Sequence, residues 1–443
     1  TAVGIERCLE FLRHQGRLDT HFGQVRLDFL GDNAKVGADV VPVWVFEVDL
    51  EPVRITGLGQ QATRRLEIAR ESLGRLKRRR AAGTDGVTLE EYEEVADTAL
   101  PGLVERMKRM SYKPQPVRRV YIPKTNGKMR PLGIPAVEDK VVQCGMSRIL
   151  EAVYEADFLD CSYGFRKGRG CHQALRKVDE TIMRHPVNHV IEADIKGFFD
   201  NVSHEWMLKF IGHRIADKKF LQLVGKFLKA GYMEEGERFA TEEGTPQGGF
   251  ISPVLANVYL HYALDLWMER KVKEESRGYV GMVRYADDFV ICVQYKDDAE
   301  RILAGLRERL GKFGLELAEE KTRRIEFDRY AKRNAEAKGR KPESFDFLGF
   351  THHIGKTRGG AFKVGRKTSR KKLNAKLKEM TRWLKGVRNL LTLRDLWKTL
   401  KAKLAGKEFS DEDLADLAAA RLELENQAAI AMQGLAAAIR EAK

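Results

Sequence analysis

Cysteine is scarce in this chain. Five residues (Cys8, Cys144, Cys161, Cys171 and Cys292) are scattered over 443 positions, and none forms a Cys-x-x-Cys pair. That spacing leaves no disulfide framework and no structural zinc site. The ten histidines add no ligand spacing beyond the dipeptide His352-His353. No apolar run reaches the roughly 18 residues of a spanning helix, and the start lacks a charged-then-apolar leader, so a soluble, cytoplasmic protein with no membrane partner is expected. No internal repeat is visible. Hydrophobic residues make up 43% of the chain, ample for the cores of roughly two or three units.

Acidic residues appear where apolar sequence should exclude them. Tyr285-Ala-Asp287-Asp288 lies between Gly281-Met-Val-Arg284 and Phe289-Val-Ile-Cys-Val293, two β-prone arms with adjacent carboxylates at the bend. Such a pattern predicts a strand–turn–strand that lifts acid groups out of a sheet. Neighbouring carboxylates repel, and they are stable together mainly when cations neutralise them. His189-Val-Ile-Glu-Ala-Asp194 supplies a second acidic strand. One aspartate from each strand, plus a neighbour, makes an oxygen-rich site suited to Mg²⁺, which takes one or two carboxylates and otherwise phosphates and water. Two such ions activate a 3′-hydroxyl and stabilise a leaving pyrophosphate, so the pattern points to nucleotidyl transfer.

Further blocks surround these strands. Ile122-Pro-Lys124 and Arg130-Pro-Leu-Gly-Ile-Pro135 precede them, with Tyr163-Gly-Phe-Arg166 between. Thr245-Pro-Gln247-Gly248-Gly249-Phe-Ile-Ser-Pro253, Glu320-Lys321-Thr322 and Phe347-Leu348-Gly349-Phe350 complete the series. In this order the blocks resemble those of a bacterial group II intron-type reverse transcriptase, over about residues 62–405. The resemblance implies an α+β fold: a right-hand polymerase with fingers and palm of antiparallel sheet plus helices, a helical thumb, and a small N-terminal appendage. It implies an RNA-directed DNA polymerase that takes an RNA template, a DNA or RNA primer, and dNTPs.

Roles follow block by block. Asp194, Asp287 and Asp288 are the implied catalytic carboxylates, and with Ile195 they are the implied ligands of two Mg²⁺ ions, for which Mn²⁺ can substitute. Lys321 stands where the family's palm lysine protonates pyrophosphate, a task for a suitably tuned general acid. Lys124, Lys128 and Arg130 surround the turn Thr125-Asn-Gly127, and a cationic hairpin tip can close over a triphosphate. Lys124, Arg130, Phe199 and Gln247 are thus the implied dNTP contacts, Phe199 stacking under the sugar where a 2′-hydroxyl would collide. Small residues after Gln247 let backbone approach a ligand ahead of a helix N-terminus. Gly248 and Gly249, with Arg166, Leu348 and Gly349, are implied contacts to template and primer, the last two within a primer grip.

The excess of positive charge is local. The formal charge of the chain is +15, and Lys356–Lys403 alone holds 17 Lys/Arg against Glu379 and Asp395, the same +15. Lys371, Lys372, Lys376, Lys378 and Arg382 recur at helical spacing in this stretch. A helix of this kind after a palm is expected to act as a thumb that tracks duplex phosphates by shape rather than sequence.

The expected organisation is an appendage at 1–56 with a strand at Val40–Leu50, an N-terminal extension and fingers at 57–180, a palm with some fingers helices at 181–355, a basic thumb at 356–406, and an Ala-rich helical segment at 407–443. A basic helix over Gln60–Arg80, a capping box at Thr88–Glu91, an Ile195–Val280 that is largely helical except for the Gln-Gly loop, a helix over 298–314 and a polar loop at Lys332–Lys341 are also expected. Mobile intron proteins of this kind often add a Cys/His endonuclease domain and further maturase helices, and neither pattern is in this sequence. The second absence argues against intron splicing, while the first, with residues 1–56 unlike the intron family, favours a polymerase module in a larger assembly, beside a CRISPR adaptation integrase or in another antiviral defence system. The alternative is a group II intron maturase and retrotransposition protein that binds intron RNA.

Overall fold

A computed structural model describes residues 58–76, 81–123, 129–245 and 248–387. The expected strand at Val40–Leu50, Lys124, Gln247 and the segment 407–443 lie outside the described residues. Among the described residues no helix is long and apolar enough to cross a membrane.

The centre is a four-stranded antiparallel sheet in the order Val280–Tyr285, Asp288–Val293, His189–Asp194, Arg323–Glu326. Its inner strands read as nearly continuous apolar runs because both faces are covered. Ile191, Phe289 and Ile291 join a large core shared with the helices Val137–Tyr154, Ser252–Leu260 and Lys296–Gly311. Val190, Val290 and Cys292 face the other way, onto Ala174, Leu175, Val178 and Ile182 of the amphipathic helix Cys171–Arg184. The alternation is the period of two that a pleated strand imposes.

A second sheet runs Met129–Ile134, Val117–Pro123, Tyr232–Glu234, Glu237–Phe239. Ile195–Val280 is largely helical as expected, and the last two strands of this sheet add a short hairpin that the expectation did not include. Glu234 pairs with Glu237 across Glu235 (φ +51°) and Gly236 (φ +88°), a two-residue turn with both φ positive, which matches strand twist. The charged residues around it masked this hairpin in the sequence. A third sheet, Phe345–Phe347, Phe350–Lys356 and Phe362–Thr368, leads into the basic helix Arg370–Val387.

Local signals held elsewhere. At Thr88 the hydroxyl accepts from the N–H of Glu91 (3.2 Å) and the Glu91 carboxylate accepts from the N–H of Thr88 (2.8 Å). The helix expected over 298–314 spans Lys296–Gly311, and the first described helix spans Leu58–Gly74. The expected polar loop at Lys332–Lys341 is instead headed by a helix, Ala331–Ala337, for Ala, Lys, Arg and Glu are good helix formers even where little is buried. Together these elements make the right-hand polymerase fold, with the acidic strand ends at its centre.

Candidate active site

The two acidic strands deliver their carboxylates to one end of the central sheet. Asp194, last in its strand, pairs with Asp288, first in the neighbouring one, and Asp288 pairs with Tyr285 across the hairpin. Ala286 and Asp287 form the bend, and Ala286 sits at φ +58°, a left-handed conformation costing about 1–2 kcal/mol for a residue with a Cβ. Two features hold it there.

The first is Arg284, fully buried one residue before the hairpin's Tyr285. Its guanidinium donates to both carboxylate oxygens of Asp265 (2.7 and 2.5 Å), to Asn257 Oδ1 (3.1 Å), to Ser162 Oγ (2.8 Å) and to the Ala286 carbonyl (2.9 Å). Every N–H of the fork is used. The second is the segment Cys161–Gly164, which runs beside the strand: Arg284 N donates to the Cys161 carbonyl and Tyr163 N to the Arg284 carbonyl. A Cβ on Gly164 would stand 2.5 Å from Ala286 N, so only glycine lets this segment lie under the bend. Asn257 Nδ2 donates in turn to the Gly164 carbonyl (2.7 Å).

Electrostatics follow from the crowding. Burial, and then the Asp194 charge, push Asp288 up to about 7, against the N–H of Leu348, which donates to its Oδ2 (3.4 Å). Asp287 is raised as well, by burial and by Asp194, while Arg130 on the strand Met129–Ile134 and Lys321 draw it back down. The Lys321 ammonium donates to Asp194 Oδ2, and that bond raises the lysine further above its ordinary value. Carboxylates that are costly to ionise alone, with a cationic side chain on one of them, fit a divalent cation. The donors are all hard oxygens, which suits Mg²⁺ or Mn²⁺. No cluster of three or more His, Cys, Asp or Glu among the described residues is closed tightly enough to hold an ion alone. Mg²⁺ sites of one or two carboxylates complete their shells with substrate phosphate and water. Ile195 is 2% exposed and offers only its main chain.

Phe199, five positions beyond Asp194, lies against Phe198 (ring centroids 5.3 Å apart) at the wall of a cavity of about 220 Å³. Asp200, Gly244, Thr245, Tyr232 and Arg119 also line that space, between palm and fingers sheet. Thr245 N donates to the Phe199 carbonyl (2.7 Å) and His204 Nε2 lies 2.7 Å from the Gly244 carbonyl, so the loop leading to Gln247 is tied to the Phe199 backbone. Gly248 (φ +113°) packs on the Gly133 carbonyl and Gly249 on the Gln143 amide, seating the loop between fingers strand and helix. Leu348 (φ +51°) and Gly349 (φ +87°) form the turn after Phe345–Phe347, and the Gly349 carbonyl accepts from Ser369 N (2.9 Å). Lys371, Lys372, Lys376, Lys378 and Arg382 are exposed on the helix Arg370–Val387, Lys376 pairing with Glu379.

Arg166 is the exception. Its side chain is 3% exposed, and its guanidinium is bound to Glu155 and to the carbonyls of Leu159 and Ser162. It braces the segment under the bend rather than presenting itself to a template. The buried supports Arg284, Asp265 and Asn257 were missed by the sequence reading. Their one signal is a polar side chain inside an otherwise apolar strand or helix.

A palm sheet with converging aspartates, a fingers sheet over it, and a glycine-turned hairpin leading into a basic helix make up the architecture of the right-hand polymerases. Residues 122–352, slightly more than half of the chain, match the family model described as reverse transcriptase (RNA-dependent DNA polymerase), and the chain belongs to that family. It is 35% identical over 301 residues to the group II intron-encoded protein LtrA of Lactococcus lactis subsp. cremoris, covering 55% of this chain and 50% of that protein. It is 38% identical over 244 residues to protein YkfC of Escherichia coli, covering 48% and 63%. With the putative COX1/OXI3 intron 1 protein of Saccharomyces cerevisiae it shares 32% identity over 295 residues, covering 56% and 35%. The chain thus spans only part, about half, of the curated relatives' lengths.

Proposed function

We propose that this chain is an RNA-directed DNA polymerase that adds dNTPs to a primer 3′ end. The observation that carries the reading is the pairing of Asp194 with Asp288 next to a bend bearing Asp287, all three at one sheet end below the fingers. Asp194, Asp287 and Asp288, with the main chain of Ile195, would hold two divalent ions, which would supply activation of the 3′-hydroxyl and charge stabilisation of the departing pyrophosphate. Arg130 and Lys124 bind the triphosphate, Arg130 with a planar fork. Phe199 blocks the space of a ribose 2′-hydroxyl, and Gln247 with the glycines after it supports the nascent pair. Lys321, which donates to Asp194 Oδ2, is the proton donor to the leaving group in this reading; its raised value disfavours proton release while that bond stands, so the role requires divalent ions to replace the lysine on Asp194. The turn at Leu348-Gly349 and the exposed cations of Arg370–Val387 grip primer and duplex.

The decisive test is Asp287→Ala in primer extension with Mg²⁺. Incorporation should vanish while RNA binding and the unfolding profile persist; near-normal extension overturns the assignment.

A second reading, binding of intron RNA, is favoured by two of these relatives, whose names assign them to introns. Retention of a group II intron RNA over an unrelated structured RNA of equal length supports it. The expected setting beside a CRISPR integrase or in another defence system draws on residues 1–56, which lie outside the described residues, and the relatives named here lend it no support.

A further inference from the structure

The strand Phe345–Phe347 is paired along one edge only, to Phe350–Lys356. An edge without a partner strand exposes a row of N–H and C=O groups. Here palm side chains take the partner's place at every second residue. Arg323 Nη2 donates to the Ser344 carbonyl (2.9 Å), Asp346 N donates to Glu192 Oε1 (3.3 Å), and Leu348 N donates to Asp288 Oδ2 (3.4 Å). Arg323 also holds Glu192, through Nε (3.0 Å) and Nη2 (2.9 Å) to Oε2. Glu192 lies two residues before Asp194 on the same strand, so both side chains share a face about 6–7 Å apart along it. Asp288 belongs to both systems at once.

We propose that Glu192, locked by Arg323, is a positioning residue that fixes the Phe347-Leu348-Gly349-Phe350 turn, and with it the primer 3′ end, at a set distance from Asp194 and Asp288. The inference rests on the polymerase reading above. A carboxylate is the suitable side chain because it accepts from a backbone N–H and from a guanidinium together. Glu192 is 17% exposed and Arg323 53%, so the carboxylate is the sheltered partner and the two-point contact, through Nε and Nη2, is what holds the guanidinium on it. Beyond the turn, the Gly349 carbonyl accepts from Ser369 N, so the same contacts reach the start of the basic helix.

The experiment is single-nucleotide addition by the wild type, Glu192→Ala, Glu192→Gln and Arg323→Ala on one primer–template. Glu192→Ala should lower kcat by about 10–100-fold, the scale of a misplacement near 1 Å, with the KM for dNTP and the Kd for primer–template within about three-fold of wild type. Glu192→Gln, whose amide oxygen still accepts from Asp346 N, should recover most of kcat. Arg323→Ala, which removes an exposed side chain and leaves the core intact, should give a smaller loss of the same kind and keeps the proposal testable if Glu192→Ala fails to fold. Wild-type kcat in both alanine variants overturns the inference, as does a loss seen equally in Kd or not recovered by glutamine. A wild-type protein that adds no nucleotide overturns the polymerase reading itself and this inference with it.

Discussion

Replacing Arg284 by methionine should separate the stability of this fold from its chemistry. The substitution leaves Asp265 fully buried without its partner, and breaking a buried pair in this way costs about 3–5 kcal/mol. Ser162, Asn257 and the Ala286 carbonyl also lose a donor, so the upper end of that range applies. At roughly 1 °C per kcal/mol for a chain of this length, the unfolding temperature should drop on the order of 5 °C. Adding Asp265→Leu removes the orphaned charge and should return most of that loss, because a well-packed apolar pair of similar volume is often as stable as a buried ion pair. Activity should not return with it. The Ala286 carbonyl would still lack the bond that opposes a left-handed strain of about 1–2 kcal/mol, and a bend free to relax carries Asp287 with it. Primer extension by the double variant should stay down by about 10-fold or more, measured at a temperature where it is fully folded. A double variant as active as wild type, or an Arg284→Met protein that melts with the wild type, refutes the reasoning.

Four further outcomes follow from the structure. The Asp288 carboxyl, pushed up to about 7, must be ionised to hold a metal, so the Mg²⁺ concentration for half-maximal extension should climb as pH falls from about 8 to 6, by up to about ten-fold per unit. Because the raised value means ionisation costs stability as pH rises through about 7, Asp288→Asn should be inactive yet melt higher than wild type at alkaline pH; a lower melting point there contradicts the sign. Phe199→Val should raise rNTP use relative to dNTP in kcat/KM, and an unchanged ratio would make Phe199 a core residue only. Neutralising Lys371, Lys372, Lys376, Lys378 and Arg382 together should weaken binding to all duplexes alike and flatten the log–log salt dependence by about 0.7–0.9 per lost contact, with long extension suffering more than single addition; an unaltered slope would assign that face to something other than phosphate.

The centre of the molecule was legible in the sequence because its signals are local. Apolar runs bounded by carboxylates at 189–194 and 280–293 can hardly be other than strands with acids at their ends, and the structure pairs them in register. Supports that depend on distant partners were not legible. Arg284 meets residues 19, 27 and 122 positions away, and nothing near it in the chain announces them. Arg166 shows the converse: a cation in a block of polymerase-like sequence reads as a nucleic-acid contact, yet side-chain charge carries no direction, and its fork turns inward to Glu155. The hairpin Tyr232–Phe239 was hidden because its outward residues are charged, as edge strands often are.

That hairpin has a consequence for how the chain can be divided. Tyr232 and Met233 pair in parallel with Val117 and Arg118, so the fingers sheet is finished by residues that arrive only after the first palm strand has been made. A contiguous fragment ending near residue 180 would carry Val117–Pro123 with that flank open, an invitation to pair with another copy. Fingers and palm are therefore not beads that fold one after the other. They are threaded through each other, and the first half of the chain must wait for the second before either is complete.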